Sequence, residues 1–359
     1  LLGQLYFVFR RQYVWDGVFF WCVAILAFGL LLRRAERTGF RRPVRRPLTQ
    51  EHNRPLRVLR PVAATGGAAC AFLAGLAARR LPDTADFSGV LWLWLFGVYW
   101  FLVAFEPAVK AKEIWSRLTR WLHDNWVELA CLAALLLAAL AVRGVNLEHI
   151  PANLGGDEGT WGMEAFAMFE NGRLTNPFST RWVFVPGLAF LVSRLSMWVF
   201  GESVAGLRSL SVGVGTATVL LTFLLARQLW GRRVAWLAAV VLTFGHYHLH
   251  FSRLGYGDIA DGLFVVLALA PFVQGLRSGQ AIYFALAGAA VGLGWYGYYG
   301  ARLIGIIVAV YLAWRALVEY RFLARYGRLL ALLLAAAIVV LAPLLFHYLD
   351  HPGEAISRA

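Results

Sequence analysis

Three polar islands interrupt an otherwise oily chain, and each carries residue types able to do chemistry. The first, NLGGDEGTWGMEAF (153–166), sets Asp157 beside Glu158 directly after Gly155 and Gly156. The glycines let the backbone turn, and the apolar residues that follow recur at helical spacing, so the acidic pair stands at a helix amino end. A carboxylate there can cap the helix or, facing a cavity, take up a proton. The second island, HYHLHFSRLGYGDIADG (246–262), places Asp258 and Asp261 three apart, on one face of the first turn of the next apolar run. Asp258 can serve as a cap, whereas Asp261, one turn inside an apolar segment, is expensive to bury without a task. Arg253 closes the preceding run, so a cation and two carboxylates share one tight hairpin, either as an ion pair or as a binding cluster. His246 and His250 share a helical face, which suits an interface or two ligands of a metal whose third ligand has no sequence candidate. The third island, WYGYYGARL (295–303), sets Trp295, Tyr296, Tyr298 and Tyr299 just before Arg302. Such residues form an aromatic belt at a membrane surface, or a stacking platform for a sugar or isoprenoid with Arg302 neutralising a phosphate.

Positioning these islands falls to long apolar helices. The 359 residues are 60% hydrophobic and only 15% charged, against about 25% charged in a soluble domain. The excess is gathered into runs long enough to cross roughly 30 Å of hydrocarbon. Run length predicts about ten spans, near 14–32, 61–78, 89–105, 126–143, 207–228, 234–251, 258–276, 281–299, 303–318 and 328–348. The fold class is therefore an all-α, polytopic integral membrane bundle, with a long external first loop (144–206) carrying juxtamembrane helices. The run 183–201 reads as an interfacial helix, because Pro186, Gly187 and Arg194 suit mid-bilayer poorly.

Charge orders the topology. The net charge is +14, but the basic residues cluster where apolar runs end, above all in 33–60 and 110–120. That placement reads as the cytoplasmic flank and as contact with anionic headgroups. No recognition motif accompanies the charge, so nucleic acid is excluded as a partner. With those segments inside, all three islands face outward. Residues 1–125 read as an amino-terminal appendage of about three spans with an Arg-rich cytoplasmic loop, and 126–359 as the chemical module. Cys22, Cys70 and Cys131 lie within apolar runs and offer no disulfide framework or CxxC pair. The chain opens at Leu1 inside an apolar stretch and closes on HPGEAISRA, so further spans are expected beyond either end.

Taken in order, GGDEGTWGMEAFAMFENGRL, PGLAFLVSRLSMWVFGESVAGLRSLSVGVGTATVLLTFLLARQLWGRR, HLHFSRLGYGDIADGLF and AGAAVGLGWYGYYGARLIG resemble the C-type membrane glycosyltransferases. The likeness is to the protein-O-mannosyltransferase and aminoarabinose-transferase-like superfamily, and it covers roughly 126–359. The resemblance implies a polyprenyl-phosphate-linked sugar as donor and transfer on the external face of a prokaryotic cytoplasmic membrane. The acceptor would be a lipid, protein or glycan. It matches the family's first-loop acidic residue to Asp157, as general base with Glu158 assisting or binding metal, and the later acidic residue to Asp258 or Asp261. Arg253, Tyr299 and Arg302 complete the expected substrate contacts, and a divalent metal ion is a compatible cofactor. Where relatives often carry Lys-Pro-Pro-Leu this chain reads Val185 to Leu188, with Arg181 as the nearby cation. Two other classes compete: a lipid or solute transporter, which would show pseudo-symmetric halves, and a non-catalytic scaffold, in which Asp157 and Asp258 would not converge.

Overall fold

In a computed structural model, residues 54–106, 119 and 123–356 are described; the expected first span (14–32) lies outside them. Helix α1 (Arg54–Arg80) and α2 (Ser88–Val103) form a hairpin. Then come α3 (Trp126–Gly144), the short α4 (Gly156–Phe166) and α5 (Gly187–Phe200) of the long loop, and α6 (Val204–Trp230). The bundle continues with α7 (Arg232–Phe244), α8 (His246–Phe251), α9 (Ile259–Ser278), α10 (Ala281–Gly294), α11 (Tyr299–Val318), α12 (Phe322–Asp350) and α13 (Pro352–Ile356). The described sheet is one two-residue antiparallel pair, Phe169–Glu170 with Arg173–Leu174.

Among the described residues six helices are long and apolar enough to cross a membrane: Arg60–Arg80, Trp126–Gly144, Val204–Trp230, Ile259–Ser278, Tyr299–Val318 and Phe322–Asp350. Ser88–Val103, Gly187–Phe200 and Ala281–Gly294 are apolar but shorter. The chain is an integral multi-pass membrane protein. Its large exposed side chains fit this, since Trp92, Leu137, Leu237, Val310 and Leu317 point away from the bundle, where hydrocarbon rather than water suits them.

One expectation needs correction. The predicted span 234–251 is two pieces, because Gly245 adopts an extended conformation (φ −62°, ψ 119°) between α7 and α8. Glycine is the weakest non-proline helix former, so the break falls there. The described helices of the amino-terminal region, α1 and α2, pack against α12. Trp94 Nε1 donates to the Val340 carbonyl at 2.9 Å, and a Cβ on Gly75 would stand 2.5 Å from the Phe346 ring. Hairpin α1–α2 and helix α12 therefore share one core, which includes Ala71, Trp94, Phe101, Val340 and Leu344.

Candidate active site

Adjacent residues on a helix point about 100° apart, so a DE pair at a helix start must send its carboxylates in different directions. In α4 Asp157 is exposed while Glu158 is 1% exposed. The buried carboxylate needs a cation, and α6 supplies it. Arg208 Nε donates to Glu158 Oε1 at 2.7 Å and Arg208 Nη2 to Oε2 at 2.9 Å. The Gly255 amide donates to Oε1 at 2.6 Å. Arg208 Nη1 also reaches the carbonyls of Leu147 (2.7 Å) and Pro151 (3.0 Å).

Glu158 is thus a structural pivot, which corrects its expected role as assistant base or metal ligand: its oxygens already hold a bidentate ion pair and an amide. Arg253 also departs from expectation. Its guanidinium donates to the carbonyls of Val142 and Arg143 (2.8 Å each), Val145 (2.6 Å) and Ile150 (3.0 Å). It satisfies the orphan carbonyls at the carboxy end of α3 and fixes the loop to α4, so it has no fork left for a phosphate.

The pivot draws the 252–258 turn against α4. Close approach requires glycine twice there. A Cβ on Gly255 would lie 2.6 Å from Leu207, and one on Gly257 would lie 2.6 Å from the Trp161 ring. Trp161 is locked in turn by donating to Ser193 Oγ of α5 at 2.9 Å. The result brings Asp258 beside Asp157. Burial first, and then the negative charge of Asp157, push the Asp258 carboxyl up to about 6. Tyr256 feels the same group: its phenol is raised by burial, then by Asp258, Asp157 and Glu158. Asp258 occupies the position before α9 but makes no side-chain capping bond, and its Oδ1 is buried without a partner. The capping role therefore does not account for it.

Asp261, a turn further on, meets the backbone amides of Ala301 and Gly300 and lies within electrostatic reach of Asp258 and Arg302. Arg302 sits among three rings, 4.7 Å from the Tyr299 centroid, 5.6 Å from Trp295 and 6.0 Å from Tyr348, a cation–π cage. Its Nη1 donates to Ala355 O at 3.2 Å. The Tyr299 hydroxyl donates to the Val183 carbonyl. Val183 and Phe184 both hold positive φ (47° and 57°), a costly geometry for a β-branched or bulky residue, of the kind found at functional sites. Arg181 is paired with Glu164 at 2.7 Å.

Of the seven expected site residues, Asp258 lies within electrostatic reach of both Asp157 and Asp261, Arg302 with Tyr299 stands beside Asp261, and Glu158 and Arg253 serve the scaffold. Sequence reasoning passed over Arg208, Tyr256 and His248. An arginine one turn inside a 27-residue apolar helix was the available signal for Arg208, since it demands a buried partner. His246 and His250 stack at 6.1 Å, both exposed. Among the described residues no three His, Cys, Asp or Glu side chains converge on a metal site.

Below the acidic mouth runs a cavity of about 300 Å³, walled by Trp161, Leu188, Val192, Leu207, Phe264 and Tyr296. It is almost wholly apolar. Beside it, a second cavity of about 400 Å³ is lined by His248, Asp258, Asp261 and Tyr298. Ile259 and Tyr298 line both.

A multi-helical membrane protein with an acidic cluster over an apolar slot is the class that fold and site define. Residues 185–347 match the family model of dolichyl-phosphate-mannose-protein mannosyltransferases. The chain is also similar to undecaprenyl phosphate-alpha-4-amino-4-deoxy-L-arabinose arabinosyl transferases. With two from strains of Pseudomonas aeruginosa it shares 29% and 30% identity over 198 residues, 52% of this chain and 35% of each relative. A Pseudomonas paraeruginosa relative is 29% identical over the same shares. The likeness to C-type membrane glycosyltransferases implied by the motifs is thus borne out, although the chain spans about a third of the length of these curated relatives. No solved structure matches it.

Proposed function

We propose that this chain transfers a sugar from a polyprenyl-phosphate donor to a lipid, protein or glycan acceptor at the external membrane face. The observation that carries the reading is that Asp157 lies within electrostatic reach of Asp258, from a separate polar island, beside a slot with apolar walls that Tyr256, Gly257 and Ile259 help to line. The names of the relatives support the donor class: theirs is an undecaprenyl phosphate carrying one sugar. The clustering of basic residues in 33–60 and 110–120 supports an outward acidic mouth, because such segments favour the cytoplasmic side.

In this mechanism the apolar slot receives the start of the isoprenoid from the bilayer. The acceptor hydroxyl attacks the anomeric carbon, the carbon–oxygen bond to phosphate breaks, and polyprenyl phosphate departs with the bonding pair. Asp157 takes the hydroxyl proton. It is exposed at the mouth, where an acceptor can reach it. The leaving phosphate needs cations rather than an acid, and Arg302 on its aromatic cage is the nearest candidate.

The carboxylates also suit a hard divalent ion, which binds oxygen donors and completes its shell with phosphate and water. The partnerless Asp258 Oδ1 is the observation that fits. Asp258 would hold the ion, which would supply positive charge to the phosphate.

The test is release of free polyprenyl phosphate when the full chain, in detergent or nanodiscs, meets a panel of polyprenyl-phosphate sugars. One donor is expected to be consumed, and Asp157→Asn to abolish release while leaving folding and donor binding intact. Near-normal turnover in that variant would remove Asp157 from the chemistry, and no release from any donor would count against the transferase reading.

A further inference from the structure

The second cavity is walled by side chains whose polar atoms find no partner within the chain. His248 Nε2, Asp258 Oδ1 and Asp261 Oδ1 are each buried without a hydrogen-bond partner, and all three residues line the same 400 Å³ space. Buried polar groups are rarely left unpaired, and each such group calls for an explanation.

The hydrogen-bonding character of each atom can be worked out. Arg143 Nη2 lies 3.1 Å from His248 Nδ1. Arginine only donates, so Nδ1 accepts and the proton of the neutral ring resides on Nε2. Asp261 turns its other oxygen toward α11, since a Cβ on Gly300 would collide with Oδ2, and Oδ1 is the oxygen left without a partner. The space therefore offers one N–H donor and two carboxylate acceptors. The same three groups do not cluster tightly enough to form a metal site. A ligand that bridges them must be larger than an ion, must accept once and must donate at least twice.

We infer that this cavity is the pocket for the donor's sugar ring, with His248, Asp258 and Asp261 reading its hydroxyl or amino substituents. The inference rests on the proposed transferase function and names the determinants of its sugar selectivity. The geometry agrees, because Ile259 and Tyr298 line both this pocket and the apolar slot. A lipid in the slot with its head at Asp258 would place its sugar here. Arg143, which sets the histidine tautomer, is a positioning residue: its Nε also contacts Ser252 Oγ at 3.2 Å.

The experiment compares binding of bare undecaprenyl phosphate with that of undecaprenyl-phosphate mannose and undecaprenyl-phosphate 4-amino-4-deoxy-arabinose. The full chain is used in nanodiscs, alongside His248→Phe, His248→Gln and Asp261→Asn. Wild type is expected to bind one sugar-linked lipid more tightly than the bare lipid. His248→Phe should erase about tenfold of that preference, from one lost hydrogen bond. Asp261→Asn should erase on the order of 10- to 100-fold, and more for the ammonium-bearing sugar than for mannose. Bare-lipid affinity should not move in His248→Phe, and His248→Gln, which keeps an N–H, should recover part of the loss. Equal weakening of bare and sugar-linked lipids, or an unchanged preference in both variants, overturns the pocket. Preference lost in these variants without any release of polyprenyl phosphate would keep the pocket and sink the transferase reading. Release with the preference intact in both variants would do the reverse.

Discussion

Removing Arg208 separates scaffold from chemistry at the acidic mouth. Arg208→Leu leaves Glu158, 1% exposed, with the Gly255 amide and no cation. Breaking one side of a buried ion pair costs about 3–5 kcal/mol. The carbonyls of Leu147 and Pro151 lose their donors as well, at about 1–3 kcal/mol each where water cannot replace them. Against a total stability of about 5–15 kcal/mol, that is a large fraction. Glu158→Gln should cost somewhat less, because the amide oxygen still accepts from Gly255. The double variant Arg208→Leu/Glu158→Leu removes both charges and should recover about 2–4 kcal/mol relative to the sum of the singles. It stays below wild type because the two carbonyls are still orphaned.

The assay is the thermal midpoint of the full chain in one detergent at one scan rate, followed by loss of the monodisperse peak. An unfolding entropy of about 2.1 cal/mol/K per residue makes the shift about 1.3 °C per kcal/mol for a chain this long, so the ion pair and the two carbonyls together should lower the midpoint of Arg208→Leu by about 6 °C or more. Turnover by Glu158→Gln, measured well below its own midpoint, should stay near that of wild type per folded molecule, unlike Asp157→Asn. The reasoning is refuted if Glu158→Gln melts like wild type yet transfers nothing, for Glu158 would then be chemical and not structural. It also fails if the two single losses simply add.

Three further outcomes follow from the same geometry. The Asp258 carboxyl, raised to about 6 by burial and by Asp157, should make turnover fall as pH drops through 6, with Asp258→Asn flattening that limb of the profile. Because its folded pKa exceeds the unfolded value near 3.9, the folded state is favoured by this group at low pH and loses that contribution as pH rises through 6. Asp258→Asn should accordingly melt higher than wild type at pH 7.5, and the gain should shrink at pH 4.5. Arg302→Ala should weaken donor binding on the order of 10- to 100-fold, the worth of a charge-assisted contact, and an unchanged dissociation constant counts against the phosphate assignment. Gly257→Ala drives a methyl group to 2.6 Å from the Trp161 ring, so it should lower turnover strongly in protein that still purifies intact, as a kinetic assay would read.

Much of the fold was legible because a membrane helix needs only length and oiliness, and both are written in composition along the chain. Nine of the ten expected apolar runs fall on described helices, the exception being the run outside the described residues. The carboxylates were legible as polar islands in an apolar text. The partner of each was not. Whether Asp157 or Glu158 turns inward depends on a helix rotation that Arg208, fifty residues later, decides. Arg253 was read as a substrate contact because the sequence shows charges but gives no letter to a backbone carbonyl, and four carbonyls are what it binds. The histidines misled for a related reason. Their alternation drew attention to His246 and His250, which share an exposed face, while the inward residue is His248, set by Arg143 at the end of a different helix.

The hairpin outside the matched family segment bears on the site as well. Gly67 and Gly97 let α1 and α2 touch backbone to backbone, since a Cβ on Gly67 would stand 2.5 Å from the Phe101 amide nitrogen. Small residues are the usual means of such approach in membranes. That contact carries Trp94 to the Val340 carbonyl and sets its ring 5.6 Å from Tyr296. Tyr296 is a wall of the apolar slot, and its hydroxyl donates to the same Val340 carbonyl at 3.2 Å. One carbonyl thus anchors two side chains, one lining the slot and one standing behind it. The shape of the slot therefore depends in part on residues that lie outside the matched segment 185–347.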